Sequence, residues 1–355
     1  MWQTSKVDRK DFVKSLDRYF VVVNERKIAK FLIAEKVSSE FDYTDSLETL
    51  WKKHYECEKE FLNLQNQIYT GQPLSETDNK GKSYFDLKIQ IANRLLQSCC
   101  LCNRRCSVNR LLNGSGYCRC GNTLSVSTIF IHTGEEPELV PSETVFTLGC
   151  TIRCLHCQNW TISQWQETPK EYDSKQLAED IENLHGAGSR NINLVGGDPT
   201  PWLKHWLEVF SFATVNVPVV WNSNSYYSPE TSRLLNGFVD VYLLDFKYGP
   251  GECSRTLSDA PDYWQVCTRN HIEAKRNGDL IVRILVLPGH LECCTKPILN
   301  WIAENLGKQT RVNLMFQFRP AWRSNEIPEL NRRLTKAEID FALNLAKQAG
   351  LENLV

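Results

Sequence analysis

The 355-residue sequence has almost no excess charge: 41 Lys and Arg stand against 42 Asp and Glu, leaving −1 at pH 7. That balance excludes a bulk electrostatic pull toward nucleic acid or an anionic membrane surface. No run of about 18 apolar residues occurs, so no membrane span is expected. The opening MWQTSKVDRK lacks the apolar core of a secretory signal. Without an export signal, and in so long a chain, the 14 cysteines do not read as a disulfide frame. A reducing compartment, the cytoplasm, is expected. The apolar share of 42% supports an ordinary globular core.

What the sequence does have is cysteine in one place. Nine of the 14 fall between Cys99 and Cys157, a clustering that favours metal binding. The other five, Cys57, Cys253, Cys267, Cys293 and Cys294, read as small apolar residues. Residues 1–98 read as a helical extension without a catalytic pattern. Apolar residues recur at helical spacing between Ser46 and Tyr69, a polar loop follows over 71–83, and a shorter helix covers Tyr84–Gln97. Residues 99–143 form a cysteine-rich, then loop-rich segment. Residues 144–355 are regular.

In that last part, β-branched runs alternate with helical stretches six times. The strands are TVFTLG (144–149), NINLVG (191–196), VPVVWN (217–222), DVYLLDF (240–246), LIVRILVL (280–287) and VNLMFQF (312–318). Six β-then-α units imply a parallel sheet, either open and doubly wound or an incomplete barrel. Each strand ends in residues unusual for a core: the Cys150, Cys154, Cys157 triplet, Gly196-Gly197-Asp198, Asn222-Ser223-Asn224, Asp245-Phe246-Lys247, Pro288-Gly289-His290 and Gln317-Phe318-Arg319. Parallel α/β folds bind ligands at the carboxyl ends of their strands, so six such ends on one rim predict one large site.

The triplet in GCTIRCLHCQNW has spacing C-x3-C-x2-C and no fourth ligand close by. Thiolates suit zinc or iron–sulfur clusters. Structural zinc takes four ligands, whereas a four-iron cluster on three thiolates keeps one iron free for a small molecule. The last explains three cysteines better than zinc does.

GCTIRCLHCQN, NLVGGDPTP, WNSNSYYSPET, DVYLLDFKYG, RILVLPGH and NLMFQFRPAW, in this order, resemble the radical S-adenosylmethionine (SAM) superfamily, in its branch related to pyruvate formate-lyase activating enzymes. CCLCNRRCSVNRLLNGSGYC and HTGEEPEL upstream are similar to an uncharacterised homologue group in that branch. The resemblance covers about residues 99–320. It implies an incomplete (βα)6 TIM-like barrel with a helical N-terminal extension and a cysteine-rich metal-binding segment. It implies a four-iron, four-sulfur (4Fe-4S) cluster on Cys150, Cys154 and Cys157, and SAM chelated at its open iron. One electron then splits SAM and releases a 5′-deoxyadenosyl radical, which takes hydrogen from a substrate. In an activase that substrate is a glycyl residue of a protein partner; modification of a peptide or small metabolite is the other reading. A reductant such as flavodoxin or ferredoxin is implied, and a protein or peptide substrate is the expected partner. No catalytic residue beyond the cluster ligands is assigned.

By the same resemblance Gly196, Gly197 and Asp198 meet the SAM ammonium, Asn222 and Asn224 its carboxylate or ribose, and Arg283 and Leu285 touch it. Asp245 helps hold a monovalent cation while Lys247 lines the site; a plain salt bridge between the two is the alternative. His290, Gln317 and Arg319 face substrate or form a polar rim, and Glu135 and Glu136 have two readings, substrate or metal contacts and, as is usual for such a pair, a solvated turn. In the family an aromatic residue usually precedes the third cysteine and packs on the adenine. Here that residue is His156, whose imidazole can also stack.

Cys99, Cys102, Cys106 and Cys118 form C-x2-C-x3-C-x11-C. Arg104, Arg105, Arg110 and Arg119 lie among them with no acidic residue, which offsets thiolate charge. A second C-x2-C knuckle is absent, so an auxiliary iron–sulfur cluster is slightly favoured over zinc, with free thiols the third reading. The arginines also permit a rival of another class, a non-catalytic, metal-stabilised nucleic-acid-binding module, but no interleaved aromatics support it.

Overall fold

A computed structural model describes residues 15–71, 81–112 and 114–355. Residues 1–14 of the expected extension, and 72–80 of the expected loop, lie outside the described residues. Among the described residues, four helices precede the cysteine-rich segment: α1 (Asp17–Val23), α2 (Lys30–Lys36), α3 (Leu47–Thr70) and α4 (Tyr84–Gln97). Their ends follow local chemistry. The Ser46 hydroxyl accepts the Thr49 N–H at the start of α3, and Gly71 closes that helix at φ +75°. Ser83 and Asp86 form a reciprocal capping box on α4.

Eight strands form one sheet: β1 (Leu124–His132), β2 (Ser142–Thr147), β3 (Lys170–Tyr172), β4 (Ile192–Gly196), β5 (Val219–Ser223), β6 (Val241–Asp245), β7 (Asp279–Leu285) and β8 (Arg311–Met315). Their order is β3-β1-β2-β4-β5-β6-β7-β8. The six strands expected from the sequence are β2 and β4–β8, and every neighbouring pair among them is parallel. β3 and β8 are the two edges, so the barrel is incomplete. Crossovers use α5 (Trp160–Ser163), α6 (Ser174–Gly186), α7 (Leu203–Phe210), α8 (Pro229–Leu235), α9 (Cys253–Ser258), α10 (Tyr263–Asn277) and α11 (Lys296–Trp301), and α12 (Lys336–Ala349) follows β8.

Two strands were missed. β1 and β3 pair antiparallel at the β2 edge, β1 within the segment read as loop-rich and β3 within the helical stretch expected after the first strand. The β-branched run from Val126 to Ile131 was the available signal; a register break between Val126 and Thr128 interrupts its alternation.

The amino end of the barrel is closed by the extension. Val220, Val241, Leu243 and Ile281 pack with Leu16, Tyr19 and Leu139 in one apolar cluster. α1 is pinned there by Arg18 on Asp240 at 3.0 Å and by the Tyr19 N–H on Asp279 at 2.7 Å. Residues two places further along the same strands, Asn222, Asp245 and Arg283, share that inward face and are polar. The fold thus fills one end of its interior with hydrocarbon and leaves chemistry at the other. No helix among the described residues is long and apolar enough to cross a membrane.

Candidate functional site

The triplet loop starts where β2 ends. Gly149 turns the chain at φ +86°, in the left-handed region where glycine is unstrained. A Cβ at Gly197 would run into the Gly149 carbonyl and the Ser163 backbone, and one at Gly196 into Thr147. The glycine pair therefore lets the end of β4 press against the start of the cysteine loop, with the Asp198 N–H bonded to the Gly149 carbonyl at 3.0 Å. The loop is clamped from two more sides. The Arg153 and Leu155 N–H groups donate to Ser258 and Leu257 carbonyls on α9, and the Arg323 N–H donates to Leu155. Trp160 stacks on Trp322 with ring centroids 4.7 Å apart.

Cys150, Cys154 and Cys157 all open into one cavity of about 610 Å³ at the carboxyl ends of the strands, shared with Gly196, Gly197, Asn222, Asn224, Asp245, Lys247, Arg283 and Leu285. The Asn224 amide donates to the Cys150 sulfur at 3.3 Å, and the Ser163 hydroxyl lies 3.2 Å from that of Cys157. Burial pushes the Cys150 thiol up and the Cys157 thiol up to about 11. Buried thiols of that kind suit a metal centre, which holds them as thiolates. Three soft donors on one wall, a glycine cradle beside them and room for a ligand fit an open iron–sulfur cluster.

Asp198 stands behind the wall. Its oxygens accept the Thr200 N–H, the Ser223 hydroxyl and the Asn224 N–H, each at 2.9 Å, so it positions the β4 and β5 ends rather than facing the cavity. Asp245 is bonded to Lys247 at 2.7 Å, which is the plain salt bridge; the carboxylate expected beside a monovalent cation already has a countercharge. Burial disfavours the Lys247 ammonium, yet Asp245 and the Cys154 thiol beside it hold its pKa above the ordinary lysine range.

Glu135 and Glu136 are not a solvated turn. Glu136 is 2% exposed. Arg283 grips it through Nε at 2.6 Å and Nη2 at 2.7 Å, and also pairs with Glu135. Asn313 adds a bond to Glu136 at 2.9 Å, and Asn222 accepts from Arg283 at 3.3 Å. Arg283, expected to touch SAM, is thus first the anchor of the HTGEEP loop over the cavity. The signal in the sequence was an arginine on an inward strand face with no acidic residue on its own strand end. A buried arginine needs a carboxylate from somewhere.

His156 lines the cavity 5% exposed, its ring 6.0 Å from Phe318 and 6.4 Å from Tyr248. Burial, with Lys247 and His290 adding to it, pushes its pKa down to about 3, so the ring is neutral, and its Nδ1 has no partner among the described residues. Gln317 lines the cavity as expected of a rim residue; His290 and Arg319 do not.

The four upstream cysteines, Cys99, Cys102, Cys106 and Cys118, line a second, small cavity with Arg104 and Arg110, directly behind Thr151 of the triplet loop. Cys106 is pushed down to about 5 by its hydrogen bond with the Cys99 thiol, which is pushed up in exchange. Cys118 is pushed down to about 7 by Cys120, against its burial and with help from Arg110. Not all four arginines offset thiolate charge. Arg105 pairs with Glu230 at 2.7 Å and Arg119 is exposed. The five cysteines read as apolar also divide. Cys57 and Cys267 are buried, but Cys253, Cys293 and Cys294 gather around His290.

The sequence of this site region matches the family model of the radical SAM superfamily over residues 144–302. The chain is 40% identical over 343 residues to the uncharacterized protein MJ0674 of Methanocaldococcus jannaschii, covering 95% of this chain and 98% of that one. It is 26% identical over 263 residues to the uncharacterized protein MJ0808 of the same organism, covering 71% and 74%. Two solved structures are similar at low identity. Streptococcus suis SuiB bound to precursor peptide SuiA has 10% identity and a TM-score of 0.39; the match covers 58% of this chain and 46%, less than half, of that one. Methylornithine synthase (PylB) has 12% identity and a TM-score of 0.43, covering 95% and 85%. Residues 144–302 carry a radical SAM superfamily domain, and the chain shares a family with MJ0674 over nearly the whole of both lengths.

Proposed function

We propose that this enzyme splits SAM reductively at a 4Fe-4S cluster on Cys150, Cys154 and Cys157 and takes hydrogen from a glycyl residue of a protein partner. The observation that carries the reading is that the three thiols share one cavity of about 610 Å³ with five further strand ends. When bound, the cluster and SAM supply a 5′-deoxyadenosyl radical; positioning falls to the protein. Gly196 and Gly197, on the cavity wall, would offer backbone carbonyls to the SAM ammonium. Asn222 and Asn224, two apart on β5, offer amides to the carboxylate or ribose. The neutral His156 ring offers a face for adenine and an unpartnered Nδ1 to its edge. Lys247, charged beside Asp245, offsets thiolate charge at Cys154. Glu135 and Glu136, held by Arg283, cover the cavity and help keep water out.

The open sheet suits a macromolecular substrate, and modification of a peptide or a small metabolite is the alternative. In the same reading the chain divides into a helical N-terminal extension (1–98), a cysteine-rich segment (99–143) carrying an auxiliary cluster on Cys99, Cys102, Cys106 and Cys118, and a catalytic barrel (144–355). It works in the reducing cytoplasm, fed by a flavodoxin or ferredoxin. The test is anaerobic reconstitution with reductant. SAM should yield 5′-deoxyadenosine and methionine, and Cys154→Ala should abolish both. Full turnover in that variant would falsify the cluster assignment. A partner offered as substrate should acquire a glycyl radical signal; deoxyadenosine formed with no such signal would leave the peptide and metabolite readings standing instead.

A further inference from the structure

We infer that Cys253, His290, Cys293 and Cys294 form a site for a single zinc ion, outside the SAM cavity. Three of the four come from the turn after β7 and one from the start of α9 after β6, and their ligand atoms all lie within 4.8 Å of one another. Four of the edges are resolved individually. Cys253 Sγ is 3.7 Å from Cys293 Sγ, and Cys293 Sγ is 3.9 Å from Cys294 Sγ. His290 Nδ1 is 3.6 Å from the sulfurs of both Cys253 and Cys293.

Those lengths are what one tetrahedral ion dictates. Zinc–sulfur bonds of about 2.3 Å and zinc–nitrogen bonds of about 2.05 Å, opened to the tetrahedral angle, put two sulfurs about 3.8 Å apart and a sulfur and nitrogen about 3.6 Å apart. A four-iron cluster, with each thiolate on a different iron, spreads its sulfurs farther than this. Three thiolates and one imidazole are also a donor set zinc takes in closed structural sites.

The chain brings these residues together for a reason visible in the sheet. β6 and β7 are neighbours, so the segments leaving their carboxyl ends are side by side. A Cβ at Gly249 would strike the Cys293 carbonyl and the Cys294 Cα, which shows how closely the two backbones pass. His290 and Cys293 are one turn apart, and the π-helical turn Leu291–Thr295 carries Cys293 and Cys294 round to the same side. With Nδ1 as ligand, the ring's other nitrogen keeps its proton. Nε2 is buried with no partner among the described residues, and Glu329, whose side chain packs on Gly289, is the carboxylate acting on this ring.

The ion would tie the β6 loop to the β7 loop next to the cysteine triplet. Tyr248 stands between the two centres, close enough to both Cys154 and Cys294 to feel their charge and bonded to Ser258. α9, which begins at Cys253, is also the element whose Leu257 and Ser258 carbonyls clamp the triplet loop. Zinc here fastens the β6 loop to the β7 loop, while the triplet loop keeps its own anchors at Asp198 and Arg323, so iron loading does not depend on the zinc.

The test is metal analysis of the full-length chain purified anaerobically, counting zinc, iron and sulfide together. Cys253→Ser and Cys293→Ser should each lose about one zinc per chain while iron stays within a tenth of the wild type. Unchanged zinc, or iron falling in step with it, overturns the assignment. A second measurement needs no variant. In the wild type, maleimide should label exposed Cys293 slowly until a zinc chelator is added, and then at least tenfold faster, with Cys253 and Cys294 following. Equal labelling with and without chelator, or an intact mass showing a Cys253–Cys293 disulfide, also overturns it.

Discussion

Arg283 on β7 and Glu136 in the loop after β1 form a two-point ion pair inside the barrel mouth, at 2.6 and 2.7 Å, although 147 residues separate them. Burial works against the Glu136 carboxylate, but Arg283 and then Asn313 hold its pKa below the usual range. The pair joins the antiparallel edge of the sheet to its far parallel strands and lines the cavity.

Breaking that pair from one side leaves a buried guanidinium short of charge. Glu136→Gln should cost about 3 kcal/mol, read as a lower denaturation midpoint in metal-loaded protein. The loss should shrink as pH falls through the carboxylate range, because the native carboxylate's advantage exists only above it. Arg283→Met added to Glu136→Gln should recover part of the loss. A single variant within about 0.5 kcal/mol of the parent would mean the cavity wall is not held this way.

The glycine cradle makes a second claim. Gly197→Ala places a methyl against the Gly149 carbonyl and the Ser163 Cα, both backbone atoms that cannot swing aside. Overpacking of this kind costs about 1–3 kcal/mol. Because the displaced backbone begins the cysteine loop, iron bound per chain should drop below half that of the parent under equal reconstitution. Full iron loading in the alanine variant would separate the glycine from the cluster loop.

Glu143, on β2, is buried with one oxygen unpartnered and the other accepting from Ser189 at 3.3 Å. Burial, eased by Ser189 and reinforced by Asp180, pushes its pKa from 4.5 up to about 8. Above pH 4.5 the unfolded chain gives up this proton while the folded chain keeps it until about 8. Stability is therefore whole below that window and is lost as pH rises through it. Glu143→Gln should flatten the decline, by about 2–4 kcal/mol between pH 5 and 8. An unchanged slope in pH-resolved denaturation would place the titrating group elsewhere.

The sequence by itself determined the six parallel strands, the helices α3 and α4, the triplet at the end of β2 and the polar character of every strand terminus. These are local properties: periodicity, β-branching, cap chemistry and the spacing of ligands a few residues apart act through near neighbours, and so can be read in one dimension. It also put Cys99, Cys102, Cys106 and Cys118 in one group, and they line one cavity.

Only the tertiary structure decided which charged groups meet. Glu136 reads as a turn residue until the fold lays it on Arg283, and Asp198 reads as a cavity residue until Thr200, Ser223 and Asn224 take up its carboxylate. Cys253 lies 37 residues from His290, and nothing local links them; the adjacency of β6 and β7 does. The physical reason is the same in each case. A buried charge or thiol is stabilised by whatever the fold brings within about 3–4 Å, and over long separations that is set by how the sheet is ordered, not by spacing along the chain.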